Sequence, residues 1–290
     1  MNNSSFPLQG IIGIVANDAS EVDLACDRRL QCIEIRADLL LDAGLNSDAL
    51  LALVAEAKAR GLAVLFTLRH PTHGGSYKGS EEQRADLSAQ ALHSGADIVD
   101  LEWDTEAATL LQDKRSQLLL SYHNFNGMPT PQELTTLTDA MCARKPCAIK
   151  IVPTAANLSD AVRMLQWAAT PASSEVRRIG FAMGSAGACS RILTIAYGAP
   201  ITYASFGEAV APGQVALDSL ADSYRAMDLN TQTQLVAVVG DDATVNERVR
   251  ELNQQFIAAA ENTVAIAFSE SSAKDLQICS ETLRLKDTVC

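Results

Sequence analysis

Lys150 lies inside the apolar run CAIKIVP (147–153). A lysine is rarely buried without a partner or a purpose. Desolvation favours its neutral amine, and a neutral amine can attack a ketone to form an imine. Bringing a lysine from about 10.4 to about 7–8 takes roughly 4 kcal/mol of destabilisation of the ammonium, which an apolar interior can supply. The plain alternative is a strand-end lysine that reaches water or pairs with Glu102. His123, one of four histidines, closes the run LLLSYHN (118–124). It titrates near neutral pH and can take and return a proton; otherwise it is a satisfied core or rim histidine. On adjacent parallel strands the two side chains would be neighbours. A poised amine beside a proton carrier is the pairing that enamine chemistry needs.

Further polar residues fall at the ends of apolar runs. Glu34 and Arg36 are two apart, so they leave a strand on one face, and Asp100 and Glu102 do the same. Arg69 ends another run. MGSAGACSR (183–191) is a glycine-bearing turn running into a helix. Its free N–H groups favour an anion, and Arg191 adds a fork for a carboxylate. Arg36 and Arg69 could equally be structural partners of Glu34, Asp38 or Glu102. Gly74 and Gly75, within HPTHGGSYKGS, and APGQ (211–214) mark two loops that could close over one mouth.

These residues need a scaffold that gathers strand ends. The expected strands are 11–16, 32–38, 63–69, 97–103, 118–124, 147–153, 177–183 and 201–206, with helix-like stretches between them. One helix opens at Asn157, with Leu158, Val162 and Leu165 at helical spacing. Eight such units fit a closed parallel (β/α)8 TIM barrel of about 250 residues, whose chemistry collects at the C-terminal strand ends. An open doubly wound sheet is the competitor. The barrel is assigned to 1–230. Beyond it, TQTQLVAVVG (231–240), the stripe Val245, Val249, Leu252 and Phe256, and TVAIAF (263–268) read as a small βαβ-like α/β extension over 231–290. That segment is small for independent stability and is expected to pack on the barrel or on another subunit, as in a homodimer.

Composition narrows the function. Of 290 residues 48% are hydrophobic and 20% charged, the makeup of a globular protein. A net charge of −12 argues against nucleic acid or an anionic membrane as partner, though not against a small anionic substrate met by clustered arginines. The opening MNNSSFPLQG reads as neither signal peptide nor membrane span. Seven scattered cysteines without metal-type pairing suit a reducing cytoplasm.

Together the motifs resemble the type I 3-dehydroquinate dehydratases of the shikimate pathway. The resemblance runs from residue 11 to about 228. It is carried by EIRAD (34–38), TLR followed by GG (67–75), DLEW (100–103), SYHNF (121–125), IK (149–150), MGSAGACSR (183–191), TYASF (202–206) and APGQ (211–214), in order. It implies that Lys150 forms an imine with the C3 ketone of 3-dehydroquinate. His123 would then remove the C2 proton and help expel the C1 hydroxyl. Glu34, Arg36 and Arg69 would hold hydroxyls, Arg191 the carboxylate, and Gln214 would close the site. His73, Glu102, Tyr203 and Val210 would stand in a supporting shell. No metal or organic cofactor is implied. Three positions depart from the family pattern. His73 stands where a glutamate usually precedes the GG pair, which leaves His123 without an orienting carboxylate. Val210 replaces a serine or threonine, and Asn124 an aspartate. The tail resembles the opening βαβ of shikimate dehydrogenase, but DDATVNERV stands where that enzyme's serine-containing substrate motif is expected, so it reads as a remnant. Two other readings are a class I aldolase-like Schiff-base barrel and a non-catalytic ligand-binding paralogue.

Overall fold

The computed structural model describes residues 6–170, 176–207, 213–241 and 244–290. Nine strands form the larger sheet: β1 (Gly10–Val15), β2 (Cys32–Arg36), β3 (Ala63–Thr67), β4 (Ile98–Glu102), β5 (Leu118–Asn124), β6 (Ala148–Pro153), β7 (Arg177–Gly180), β8 (Ile201–Ser205) and the short β9 (Val215–Ala216). Their order is β7-β6-β5-β4-β3-β2-β1-β8-β9, all parallel. Strands β1 to β8 thus follow one another around a curled sheet with no reversal, an α/β barrel rather than a doubly wound sheet. The strands at its two ends approach through side chains. The Phe181 and Tyr203 rings meet edge-on at 5.7 Å. Thr194 Oγ1 donates to the Gly180 carbonyl at 2.8 Å and Thr202 Oγ1 to the Arg191 carbonyl at 2.6 Å, which ties the intervening helical turns to both strands.

The strands read as unbroken apolar runs because both faces are covered. One alternate set, including Ile12, Leu65, Ile98, Leu119, Ala148, Ile179 and Ile201, fills the interior with Phe6 and Leu8. The other set, including Ile33, Ile35, Val64, Phe66, Val99, Leu101, Leu120, Ile149 and Ile151, packs under the helices. Two helices begin with reciprocal capping boxes, Ser80 with Gln83 and Thr130 with Glu133. Asn157 caps Leu158–Ala169 by accepting from the Asp160 N–H at 3.0 Å. Such caps stabilise by about 1 kcal/mol each. The strand expected over 32–38 stops at Arg36, where Ala37–Asp42 turns helical. The run 177–183 leaves the ladder at Gly180, with one further bridge between Thr154 and Met183.

A separate parallel sheet of order β11-β10-β12 is built from β10 (Gln234–Val239), β11 (Thr263–Phe268) and β12 (Leu285–Val289). The expected strand, helix and parallel strand are present as Gln234–Val239, Thr244–Ala258 and Thr263–Phe268, and a third strand extends them. LKDTV carries no apolar alternation because it lies at the sheet edge, half exposed. The segment packs on the barrel of its own chain. Leu235, Val264, Ile266, Leu276 and Leu283 share one buried cluster with Leu158, Val162, Leu165, Ile192 and Leu193. The Tyr197 hydroxyl donates to the Thr282 carbonyl, and Gln166 Nε2 lies 3.2 Å from Thr282 Oγ1.

Candidate active site

Period-two alternation carries the apolar interior upward into a polar layer. Glu34 follows Cys32, Asp100 follows Ile98, Ser121 follows Leu119 and Lys150 follows Ala148, each two residues further on and inward, and Glu102 and His123 come two residues later again. Register sets their heights: Ser121 pairs with Lys150 and His123 with Val152, so His123 stands above the lysine toward the strand ends. The result is a cleft of about 630 Å³, open mouth included, whose lining includes Lys150, His123, Arg69, Arg191, Tyr203 and Gln214.

Lys150 is buried, with Nζ donating to Asp100 Oδ2 at 2.5 Å and lying 3.5 Å from the Tyr203 hydroxyl. The pairing with Glu102 entertained from sequence is not made. Glu102 accepts instead from Arg69 at 2.9 Å and Arg84 at 2.6 Å. Burial pushes Lys150 below the ordinary lysine value; Asp100 pulls it back, and Arg69 drives it down further. Burial alone would raise Asp100, yet Arg69 and Lys150 hold it far below the usual carboxylate range. Arg69 is the hub. Its Nη1 donates to Asp100 at 3.1 Å, Glu102 at 2.9 Å and Ser121 at 2.7 Å, and its Nη2 to Asp100 at 2.9 Å. Because Asp100 is shared with this guanidinium, it neutralises Lys150 only in part.

His123 is held well below the normal imidazole value by burial, then by Arg69 and Lys150. It is therefore a neutral base at neutral pH, next to an amine biased toward its neutral form. Burial pushes the Tyr203 phenol well above its usual value, and Glu34 and Asp100 push it further. It can donate a hydrogen bond without ionising. Arg191 lies over the Phe181 ring at 4.6 Å, and burial lowers it to about 10. An incoming carboxylate would be met by a fork already stripped of water.

Glu34, Arg36 and Arg69 do line the cleft, but each is also engaged within the protein. Glu34 accepts from Thr67 Oγ1 at 2.7 Å, and Arg36 makes two bonds to Asp38 at 2.9 and 2.8 Å. His73 and Tyr203 belong to the cleft wall rather than to the shell behind it, whereas Glu102 lies behind Arg69. Val210 lies outside the described residues. Asp100 was legible only as sharing a face with Glu102. Its register opposite Thr67 and Leu119 is what brings it onto Lys150. The two expected loops are anchored by glycines. A Cβ at Gly75 would lie 1.9 Å from the Arg69 carbonyl oxygen. Gly213, at φ 74°, presses on Gly184 of the MGSAGACSR turn and sets Gln214 at the mouth.

A curled parallel sheet with a polar, ionisable cluster at its C-terminal strand ends defines an α/β-barrel enzyme. Residues 12–231 match the family model of type I 3-dehydroquinase, and the chain belongs to that family of hydro-lyases. It is 31% identical over 205 residues to the 3-dehydroquinate dehydratase of Dehalococcoides mccartyi, covering 69% of this chain and 87% of that one. The 3-dehydroquinate dehydratase structure from Geobacillus kaustophilus superposes with a TM-score of 0.65 at 23% identity, over 74% of this chain and 89% of that one. The dehydroquinate dehydratase and shikimate dehydrogenase of S. pombe superposes with a TM-score of 0.64 at 21% identity. That match covers 94% of this chain and 55% of the other.

Proposed function

We propose that this chain converts 3-dehydroquinate to 3-dehydroshikimate through an imine on Lys150, with His123 as the acid/base. The observation that carries the reading is the buried Lys150–Asp100–Arg69 cluster below a neutral His123. The neutral amine attacks the C3 ketone, and water leaves as the iminium forms. The iminium keeps a positive charge at the former lysine nitrogen, opposite Asp100. His123 removes the C2 proton, the electron pair moves into an enamine, and the C1 hydroxyl departs. The protonated His123 supplies the proton that makes it water. Hydrolysis of the imine then frees the product and restores the amine. General acid/base help of this kind adds roughly 10²–10⁴ in rate. Arg191 and Gln214 hold the substrate carboxylate end, and Glu34 and Arg36 its hydroxyls.

The product is a conjugated enone and the substrate is not, so the growth of enone absorbance on adding 3-dehydroquinate tests the reading. Its absence with purified chain would refute it. The 231–290 segment is proposed as a divergent, shikimate dehydrogenase-like remnant without dehydrogenase activity. The superposition on the two-enzyme S. pombe chain, which extends over 94% of this one, supports that origin. No helix among the described residues is long and apolar enough to cross a membrane, and a cytoplasmic location suits the proposed pathway step.

A further inference from the structure

We propose that the 231–290 segment is a positioning element of the active site: its barrel-facing apolar side seats the helix that carries Arg191 and the turn that follows Gln214, and so sets the gap in which a substrate carboxylate is gripped. The inference rests on the reading of Arg191 and Gln214 as the carboxylate end of the cleft. Arg191 belongs to the helix Ala188–Leu193, and Gln214 immediately precedes β9. Cys189, Ile192 and Leu193 stand about 100–160° around the helix axis from Arg191, on the side away from the cleft. All three are buried in the apolar cluster that Leu235, Val264, Ile266, Leu276, Cys279 and Leu283 of the tail complete. Leu217 and Leu220, just beyond β9, are buried in the same cluster. Both halves of the carboxylate grip are thus backed by one body of side chains, and the tail supplies part of it.

Hydrogen bonds fix the Arg191 helix from the barrel side. Ser190 Oγ accepts from the Ala182 N–H at 2.8 Å and donates to the Gly187 carbonyl at 2.6 Å, while the Arg191 carbonyl accepts from Thr202. The outer side is held by packing, and polar contacts between tail and barrel frame it. The Ser159 N–H donates to Asp275 Oδ2 at 3.3 Å, the Tyr197 hydroxyl donates to the Thr282 carbonyl, and Arg284 lies over the Tyr197 ring at 4.4 Å. Burial pushes the Cys189 thiol up to about 12, and Cys279 of the tail is near enough to add to the rise. Arg191 is 4% exposed and burial lowers it to about 10, so the grip on a carboxylate depends on where this one buried fork is held. Close-packed side chains under the helix transmit a displacement rather than absorb it. A shift of about 1 Å at the fork is enough to spoil a two-bond grip. The segment needs no dehydrogenase chemistry of its own to act in this way.

The test uses the full chain and steady-state kinetics on 3-dehydroquinate. Wild-type turnover is measured first: its absence overturns the dehydratase reading, and this inference with it. Leu276→Ala opens a gap in the seat from the tail side. It should raise KM by about 3–10-fold with kcat changed less, because the carboxylate is gripped alike before and during the reaction. In an Arg191→Ala background the same change should add little or nothing to KM. Ile266→Val, one methyl smaller in the same cluster, is the milder probe should Leu276→Ala not fold, with KM up about 2-fold. Val249→Ala is the control. Val249 packs with Val236, Val238 and Leu252 on the opposite face of the tail's sheet, so this variant should lower Tm and keep the wild-type KM. With wild-type turnover in hand, three results would each overturn the inference alone: an unchanged KM in the Leu276 and Ile266 variants, an equal rise in the Arg191→Ala background, or a similar rise in Val249→Ala.

Discussion

Asp100→Asn isolates the central electrostatic balance of the barrel. The side chain is fully buried, receives Lys150 Nζ at 2.5 Å, and is bound twice by Arg69. Asparagine keeps the shape but removes the charge. Taking one partner from a buried ion pair costs about 3–5 kcal/mol, because the other charge is left uncompensated. Two features place this case near the lower end. Arg69 keeps Glu102 at 2.9 Å, and Lys150, already biased toward its neutral form, can shed its proton. A loss of about 3 kcal/mol, at about 2–4 °C per kcal/mol for a large domain, lowers Tm by about 6–12 °C. The folded-state pKa of Asp100 is depressed, so its contribution is full above the unfolded value of about 3.9 and is lost as pH falls through the folded value. The Asp100 carboxylate's own part of the gap between wild type and variant should therefore be constant from neutral pH down to about 4 and narrow below that, while the gap widens with falling pH only where Lys150 is neutral in the variant and charged in wild type. Calorimetry or circular dichroism across pH reads it. The Lys150→Met change should cost less in the Asp100→Asn background than alone, with a coupling of about 0.5–3 kcal/mol. Without Asp100 the amine is also neutral at lower pH, so the acid limb of imine trapping moves down. A Tm within about 2 °C of wild type, together with an unmoved trapping profile, would refute the balance drawn from these distances.

Three further outcomes follow from the site. His123→Ala should still form the imine but dehydrate at least about 10²-fold more slowly; near-normal turnover would remove His123 from the reaction. Because burial, Arg69 and Lys150 depress His123, the acid limb of the single-turnover dehydration rate from the preformed imine should fall below the ordinary imidazole value of about 6.5, and a midpoint above it would contradict the site's electrostatics. Arg191→Ala should raise KM by about 10–100-fold through loss of a charged hydrogen bond, with kcat changed less, as steady-state kinetics would show.

The barrel was legible because eight apolar runs alternate with helical patterns, and several of the runs carry a charged or polar residue at or near the end. Lys150, His123, Arg69 and Arg191 stood out as charges where the pattern calls for apolar residues. What the sequence hid is what depends on register or on chain-distant contact. Asp100 looked like one of two equivalent carboxylates until pairing set it on Lys150 and Glu102 on Arg84. Asp104 follows strand β4 in an unremarkable turn, and nothing local announces that His73 folds onto it. β12 was missed because an exposed edge strand needs no apolar alternation. The tail's apolar stripe showed a face to bury, and its cover is the tail's own sheet, through Val236, Val238 and Ala265; the 158–169 and 188–193 helices meet Leu235, Val264 and Ile266 instead.

Borohydride reduction of the full chain with 3-dehydroquinate, followed by mass spectrometry of the intact and digested protein, is the most direct test of the lysine chemistry. The account predicts one adduct per chain, on Lys150, absent from Lys150→Met. An unmodified wild type, or label on the exposed Lys78 or on Lys145 instead, would contradict it.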